Sequence, residues 1–189
     1  MCVAHTCASQ GYLADGWVFT RDMSWFPAAS QWTLLPTVAS APSARRYHAM
    51  AGTAGSNSTF MFGGEDEETI LVDFWIHELA SGLDGNATSH AWTKLAAPEG
   101  IEGSSGRRGS SLIAHGSHVF LFGGENFQGE LFSDFYVYDT ASAVWTKLEN
   151  CPAALSFANL AVVSLEYRGE SIFVVGGGGL NNAPNQQVQ

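Results

Sequence analysis

Three pairs of adjacent glycines recur at near-regular intervals in this chain, each directly after a short β-rich segment. They are Gly63-Gly64, Gly123-Gly124 and Gly176-Gly177. The second glycines of the pairs are 60 and 53 residues apart, and the tryptophans Trp32, Trp92 and Trp145 keep the same two intervals. Two independent markers with one spacing indicate an internal repeat, which constrains the fold more strongly than composition does.

One repeat unit, from Arg107 to Leu148, contains four short segments that are typical of strands. They are Ser110 to His115, His118 to Phe122, Asp134 to Asp139 and Val144 to Leu148. Gly116-Ser117 has the composition of a tight turn between the first two. Repeated units of four short antiparallel strands predict the blades of a β-propeller. Because no segment has a sustained helical period, we expect an all-β fold.

The order of the markers in this unit resembles the kelch repeat. A double glycine is followed by Asp-Phe-Tyr-Val-Tyr-Asp at 134–139 and by Trp-Thr-Lys-Leu at 145–148. The chain is similar to kelch-type β-propellers of the galactose oxidase central-domain-like superfamily. An arginine before the first strand fits Arg46 and Arg108, whereas Ser156-Phe157 occupy that position in the last repeat. The repeat residues with expected structural roles are Gly63, Gly64, Gly123, Gly124, Gly176, Gly177, Trp32, Trp92, Trp145, Arg46 and Arg108.

The repeats divide the chain into two whole blades and two half blades. We assign 1–40 to the outer strands of a first blade with an insertion, 41–95 and 96–148 to whole kelch blades, 149–179 to the inner strands of a last blade, and 180–189 to a polar tail. The two halves together would make a third blade, whereas propellers typically have about 4–8. We therefore expect a segment of a larger propeller, or a partial one completed by another chain through further blades or self-association.

The charge balance limits the classes of partner. The chain has 18 acidic and 8 basic residues, a formal net charge of −10, which argues against nucleic acid and anionic membranes and leaves a protein with a basic surface. Three cysteines, Cys2, Cys7 and Cys151, form no Cys-x-x-Cys pair or disulfide framework and favour a reducing, cytoplasmic location. No signal peptide or membrane-spanning apolar stretch is expected.

The most distinctive loop sequence is the acidic run Glu65-Asp66-Glu67-Glu68. It follows the second strand of its blade, so we expect it in an exposed loop on the same propeller face as the loops between blades. Glu125 and Glu130 lie in the equivalent loop of the next blade. We predict that these six carboxylates bind a protein partner and raise its association rate. The alternative is a solvated loop that keeps a β-rich protein soluble.

A second resemblance gives an alternative function. Asp73-x-x-x-His77 resembles part of the Glu-x-x-x-Asp-x-x-x-His iron-site motif of kelch-type nitrile-specifier proteins, which would imply an iron-dependent enzyme. The glutamate position is Thr69, and Asp73 has strand-start counterparts in Asp15 and Asp134. These departures favour a non-catalytic scaffold or adaptor without catalytic residues, metal ligands or a cofactor. We also find no Cys, Tyr and His set of the copper-enzyme type in this superfamily.

Overall fold

The computed structural model describes residues 15–20, 31–80, 89–101, 106–165 and 170–176, and these residues form twelve β-strands. The strands are β1 (Trp17–Thr20), β2 (Gln31–Leu34), β3 (Ala49–Gly52), β4 (Ser58–Phe62), β5 (Phe74–Ala80), β6 (Ser89–Leu95), β7 (Ser111–His115), β8 (His118–Phe122), β9 (Phe135–Asp139), β10 (Val144–Lys147), β11 (Asn159–Leu165) and β12 (Glu170–Gly176). The described residues contain no helix, which confirms the predicted all-β class.

Eight of these strands form two four-stranded antiparallel sheets, in which each strand pairs with the next one along the chain. We call β3–β6 the first whole blade and β7–β10 the second whole blade. β1 and β2 form a separate two-stranded sheet, the leading half blade, and β11 and β12 form another, the trailing half blade. The prediction of a partial propeller with two whole blades and two half blades is therefore confirmed.

Parts of some sequence predictions lie outside the described residues. These parts are Gly177, Cys2, Cys7 and the polar tail 180–189. The segment boundaries assigned from the sequence stay predictions. Among the described elements there is no helix with the length and hydropathy needed to cross a membrane.

The strand register follows the sequence repeat. The Cα atom of Trp92 lies opposite that of His77 in the first whole blade, and Trp145 lies opposite Tyr138 in the second. In the leading half blade, Trp32 lies opposite Phe19. Each tryptophan therefore occupies the same position on the last strand of its sheet. At this position its side chain can pack on a neighbouring blade.

The core lies between the two whole blades. Phe60, Phe62 and Phe74 of the first are at most 3% exposed. The ring of Trp145, from the second, lies 4.9 Å from that of Phe74, and its indole N–H donates to the backbone carbonyl of Ala96 at 2.9 Å. Edge-on aromatic contacts add to the free energy gained from burial. A tryptophan of one blade thus packs on the preceding blade, which is a structural role.

The first two glycine pairs lie where the chain closely approaches the start of the next blade. Gly63 and Gly123 have positive φ angles of 61° and 63°. A Cβ atom at Gly63 would lie 2.4 Å from the carbonyl oxygen of Arg107, and one at Gly123 would lie 2.4 Å from that of Leu155. Both the backbone conformation and the space therefore require glycine at these junctions.

Candidate functional site

The loops that follow β4 and β8 lie on one face of the blades, together with the segments between blades. The amide of Gly64 donates to the carbonyl of Arg107 at 2.8 Å, and that of Gly124 donates to the carbonyl of Leu155 at 2.8 Å. These bonds join each loop to the start of the next blade, in agreement with the predicted placement. We call the surface formed by 63–73, 106–110, 123–134 and 148–158 the loop face.

A chain of charged hydrogen bonds runs across the loop face from blade to blade. Glu65 accepts from Arg46 Nε through Oε1 at 2.5 Å and from Arg108 Nη1 through Oε2 at 2.6 Å. Arg108 Nε donates to Glu125 Oε1 at 2.8 Å, and Ser156 Oγ donates to Glu125 Oε2 at 3.0 Å. We call this set the arginine–glutamate ladder. Each glutamate uses one oxygen for its own blade and the other for the next.

The two ladder glutamates are internal. Glu65 is 5% exposed and Glu125 is 2% exposed. Burial alone would raise the pKa of Glu65, but the hydrogen bonds from Arg108 and Arg46 outweigh burial and hold the pKa below its usual value. The same contacts, led by the bond to Glu65, raise the pKa of Arg108. The expectation that the whole acidic run is exposed is therefore corrected for Glu65, and Glu125 is likewise buried against the ladder.

The other four predicted carboxylates reach solvent. Glu67, Glu68 and Glu130 are exposed, and Asp66 is half-buried. Asp66 Oδ1 accepts from the backbone amides of Glu68 and Thr69 at 3.0 Å and 2.9 Å, which fixes the turn that carries its neighbours. We call Asp66, Glu67, Glu68 and Glu130 the acidic rim. Their role in binding stays a prediction.

An exposed aromatic residue that sequence reasoning missed lies beside the acidic rim. Phe127 is 75% exposed at the tip of the loop after β8. The buried Asn126 holds this tip, because its Oδ1 accepts from the amides of Gln128 and Glu130 at 3.0 Å and 2.9 Å. The sequence around Phe127, Glu-Asn-Phe-Gln-Gly-Glu at 125–130, contains one signal for this feature, a lone aromatic residue within a polar turn.

A second aromatic feature lies near the arginine end of the ladder. Tyr47 is 46% exposed, and its ring packs edge-on against Phe157 with 5.2 Å between centroids. The Arg46 guanidinium lies 5.0 Å from the Tyr47 ring centroid, a cation–π distance. Tyr47, Gly109 and Phe157 hold the same repeat position and all have positive φ, at 58°, 64° and 52°. Because the conformation recurs in each repeat, we attribute it to the fold.

A second set of arginines ties each whole blade internally. Arg45 forms a bidentate pair with Asp73 through Nη1 at 2.6 Å and Nη2 at 2.9 Å. Arg107 pairs in the same way with Asp134, and both arginine side chains are almost fully buried. Burial would raise the pKa of Asp73, but the hydrogen bonds from Arg45 and Trp75 lower it overall. The strand-start aspartates therefore have a structural partner.

The residues of the iron-motif resemblance do not fit an iron site. Both Asp73 oxygens are engaged by Arg45, and His77 Nε2 lies 2.9 Å from His90 Nδ1. His90 Nε2 lies 2.6 Å from the carbonyl oxygen of Pro36, which can only accept, so the shared proton belongs to His77 Nε2. Asp73 and His77 are four residues of extended chain apart, about 13 Å between Cα atoms. Within the described ranges, no three His, Cys, Asp or Glu side chains are grouped to hold a metal.

Comparison with known proteins identifies the family. Residues 6–187 match a protein-family model that is described as the KLHDC2/KLHL20/DRC7 Kelch-repeats domain. The chain is also similar to the N-(sulfonatooxy)prop-2-enimidothioate sulfolyase of Thlaspi arvense, with 31% identity over 153 residues. That match covers 76% of this chain and 39% of the relative, so the chain spans about two fifths of the relative's length. The repeated blades, the glycine junctions and the matched span establish that this chain belongs to the kelch-repeat family of β-propellers.

Proposed function

We propose that this chain is a protein-binding module that recognises its partner through the loop face and performs no reaction itself. The observation that carries the proposal is Phe127, which is 75% exposed at a loop tip whose conformation is fixed by buried Asn126. Exposed aromatic side chains on rigid turns are typical anchors at protein interfaces, where they fill a pocket of the partner. A cytoplasmic location is part of the proposal and rests on the odd cysteine count.

The partner expected from this chemistry has an apolar pocket surrounded by basic residues. Phe127 would supply most of the affinity, because buried aromatic anchors dominate interface energies. The acidic rim would mainly raise the association rate and its dependence on salt. Glu65 and Glu125 have no direct part in the proposal, because their carboxylates are buried and already bonded to arginine or serine.

The test compares partner capture by the wild-type chain and two variants. We expect Phe127→Ala to lose its partners about tenfold or more, which corresponds to an anchor worth about 1.4 kcal/mol or more. The matched control is Val144→Ala, because Val144 is also exposed, at 54%, but lies on β10 away from the loop face. Equal recovery of the same partners by both variants would refute Phe127 as the anchor.

The acidic rim needs its own variant. Charge reversal of Glu67 and Glu68 to Lys should slow association and reduce its sensitivity to salt, while the dissociation rate changes little. Association measured at two salt concentrations distinguishes these effects. If the reversed variant binds with unchanged rate and salt response, the acidic run is only a solvated loop.

A second candidate function is supported by the similarity to a protein named as a sulfolyase. It would be a lyase-type reaction of a larger protein, of which this chain would form part. The purified chain can be incubated with N-(sulfonatooxy)prop-2-enimidothioate, with and without added ferrous iron, and the products measured. We expect no turnover above buffer, because Asp73 and His77 are held by Arg45 and His90. Iron-dependent turnover would replace the binding proposal with this one.

A further inference from the structure

Three side chains with metal-ligating atoms lie side by side across the second whole blade. The Cα atom of His118 on β8 lies opposite that of His115 on β7 and opposite that of Asp139 on β9. Directly opposed residues of antiparallel strands carry their side chains on the same face of the sheet. Two imidazoles and a carboxylate therefore share one face at one level of the blade. β8 runs from His118 towards the loop face, so these residues lie at the far end of the strands and the inference below is independent of the proposed function.

His118 and Asp139 form a close pair. The amide of Thr140 donates to the carbonyl of Ser117 at 2.9 Å, which makes His118 and Asp139 a non-hydrogen-bonded pair of the ladder, where opposed side chains are closest. His118 Nε2 lies 3.9 Å from Asp139 Oδ2, which is too far for a direct hydrogen bond. Two ligands of a tetrahedral zinc ion, each about 2.0–2.1 Å from the metal, lie about 3.3 Å apart. A small rotation of either side chain therefore brings this pair to metal-binding distance.

The remaining polar atoms of the pair are held by turn residues. Asp139 Oδ1 accepts from the amides of Ala141 and Ser142 at 2.8 Å and 3.1 Å, and Ser117 Oγ lies 3.4 Å from His118 Nδ1. The hydrogen bonds from Ser142 and Ala141 outweigh burial and lower the pKa of Asp139, which keeps its carboxyl group ionised. Contacts of this kind orient metal ligands from outside the coordination sphere. They leave Nε2 of His118 and Oδ2 of Asp139 facing each other.

His115 is the third ligand of the set. Its Cα atom lies opposite that of His118 across the turn Gly116-Ser117, and opposed residues have Cα atoms about 4.5–5.5 Å apart. In the part of the chain that the structure describes, no three such side chains already converge on one point, so metal binding requires His115 to change rotamer. His115 is only half-buried at the end of a hairpin, where its ring can turn without disturbing the sheet.

The fold does not require these donors. At the same level of the first whole blade, Ser58 lies opposite Glu78 in place of His118 and Asp139. Residues that the propeller needs recur in both whole blades, as the glycine pairs do. A simple ion pair does not explain the arrangement either, because the side chains of His118 and Asp139 are 46% and 41% exposed and lie 3.9 Å apart. Such an exposed pair contributes little to stability.

We propose that His115, His118 and Asp139 bind one zinc ion. Imidazole nitrogen and carboxylate oxygen are both common ligands of zinc, at about 2.0–2.2 Å. Three protein ligands leave one position of a tetrahedral site for water or for a group from outside the chain. The bound ion would join β7, β8 and β9 at their turn end. Zinc should therefore stabilise the second whole blade, because the three ligands come together only in the folded chain.

Calorimetric titration with zinc chloride tests the site. All chains would have their three cysteines replaced by Ser, because thiolates also bind zinc. We expect one zinc ion per chain, and at least about tenfold weaker binding after His115→Ala, His118→Ala or Asp139→Asn. Asp139→Asn keeps an oxygen for the turn amides and removes only the charged ligand. Glu78→Gln is the matched control from the first whole blade and should leave the affinity for zinc unchanged.

Thermal unfolding with and without zinc provides a second measurement. Zinc should raise the melting temperature of the parent chain and of Glu78→Gln, and much less that of His115→Ala or His118→Ala. Melting without zinc shows which variants fold, and the folded ones decide the result. A parent chain that binds no zinc, or equal affinity for zinc in all folded variants, would overturn the proposal.

Discussion

Replacement of Glu65 by Gln tests whether the arginine–glutamate ladder holds adjacent blades together. The change keeps the side-chain volume but removes the charge that faces Arg46 and Arg108. Loss of one partner of a buried ion pair costs about 3–5 kcal/mol. Arg46 is 49% exposed and Arg108 is 24% exposed, so water replaces part of the lost contact, and glutamine keeps one acceptor. We therefore expect the free energy of unfolding to fall by about 2 kcal/mol.

Urea unfolding at one protein concentration measures this loss, since association would stabilise the fold by mass action. With a slope of about 2 kcal/mol per molar, the midpoint should fall by about 1 M urea. Glu67→Gln is the matched control, an exposed carboxylate in the same acidic run, and should change stability by less than about 0.5 kcal/mol. The Glu65→Gln, Arg108→Gln double variant should lose less than the sum of the single variants. Equal midpoints for Glu65→Gln and Glu67→Gln would refute the ladder as a stabilising contact.

Two further predictions concern the pH dependence of stability and the cost of adding a side chain at Gly63. Burial and the neighbouring His90 lower the pKa of His77, so the unfolded chain binds that proton first, and stability should fall as pH drops below about 6.5. It should fall again below about pH 4, because the pKa of Asp73 is also lowered. Urea midpoints at pH 7.5, 5.5 and 3.5 measure both steps. His77→Phe should reduce the first step and leave the part that comes from His48, whose pKa is lowered by burial and by Arg45. Gly63→Ala should lower the free energy of unfolding by at least about 3 kcal/mol in thermal or urea unfolding, because the added Cβ meets a backbone carbonyl. Gly55→Ala, where the space is open, should lower it by about 1 kcal/mol. Similar losses for the two variants would disprove the close junction.

The sequence predicted the blades well because their markers are repeated. A glycine pair, an aromatic strand and a tryptophan that return together leave few alternatives to a four-stranded unit, and Trp92 and Trp145 do occupy equivalent strand positions. The repeat also contains the signal for the buried glutamates. Glu65 and Glu125 both follow a glycine pair directly, so their recurrence indicated a shared structural contact. In the first loop, the three acidic residues after Glu65 obscured its separate role.

Other features depend on contacts that no local pattern specifies. A lone phenylalanine in a polar loop is equally compatible with burial and exposure, and the exposure of Phe127 depends on the turn held by Asn126. The bond between His77 and His90 joins residues 13 positions apart in sequence, and the next bond in that chain reaches Pro36, 54 positions from His90. Such pairings follow from strand register and blade packing, which sequence spacing alone determines only approximately.

The arginine–glutamate ladder also bears on how chains of this kind can change length. Each whole blade offers a glutamate to the blade after it, and the second whole blade also offers Arg108 to the blade before it. The junction between the two whole blades therefore has ends that a further copy of the same repeat would fit. Gain or loss of one entire repeat would join ends that already fit, whereas a shift by half a repeat would leave a buried carboxylate without its cation. The number of blades can thus change by whole repeats. At the next junction Ser156 donates a hydroxyl hydrogen bond to Glu125 where the first junction has an arginine, so the two junctions are not interchangeable.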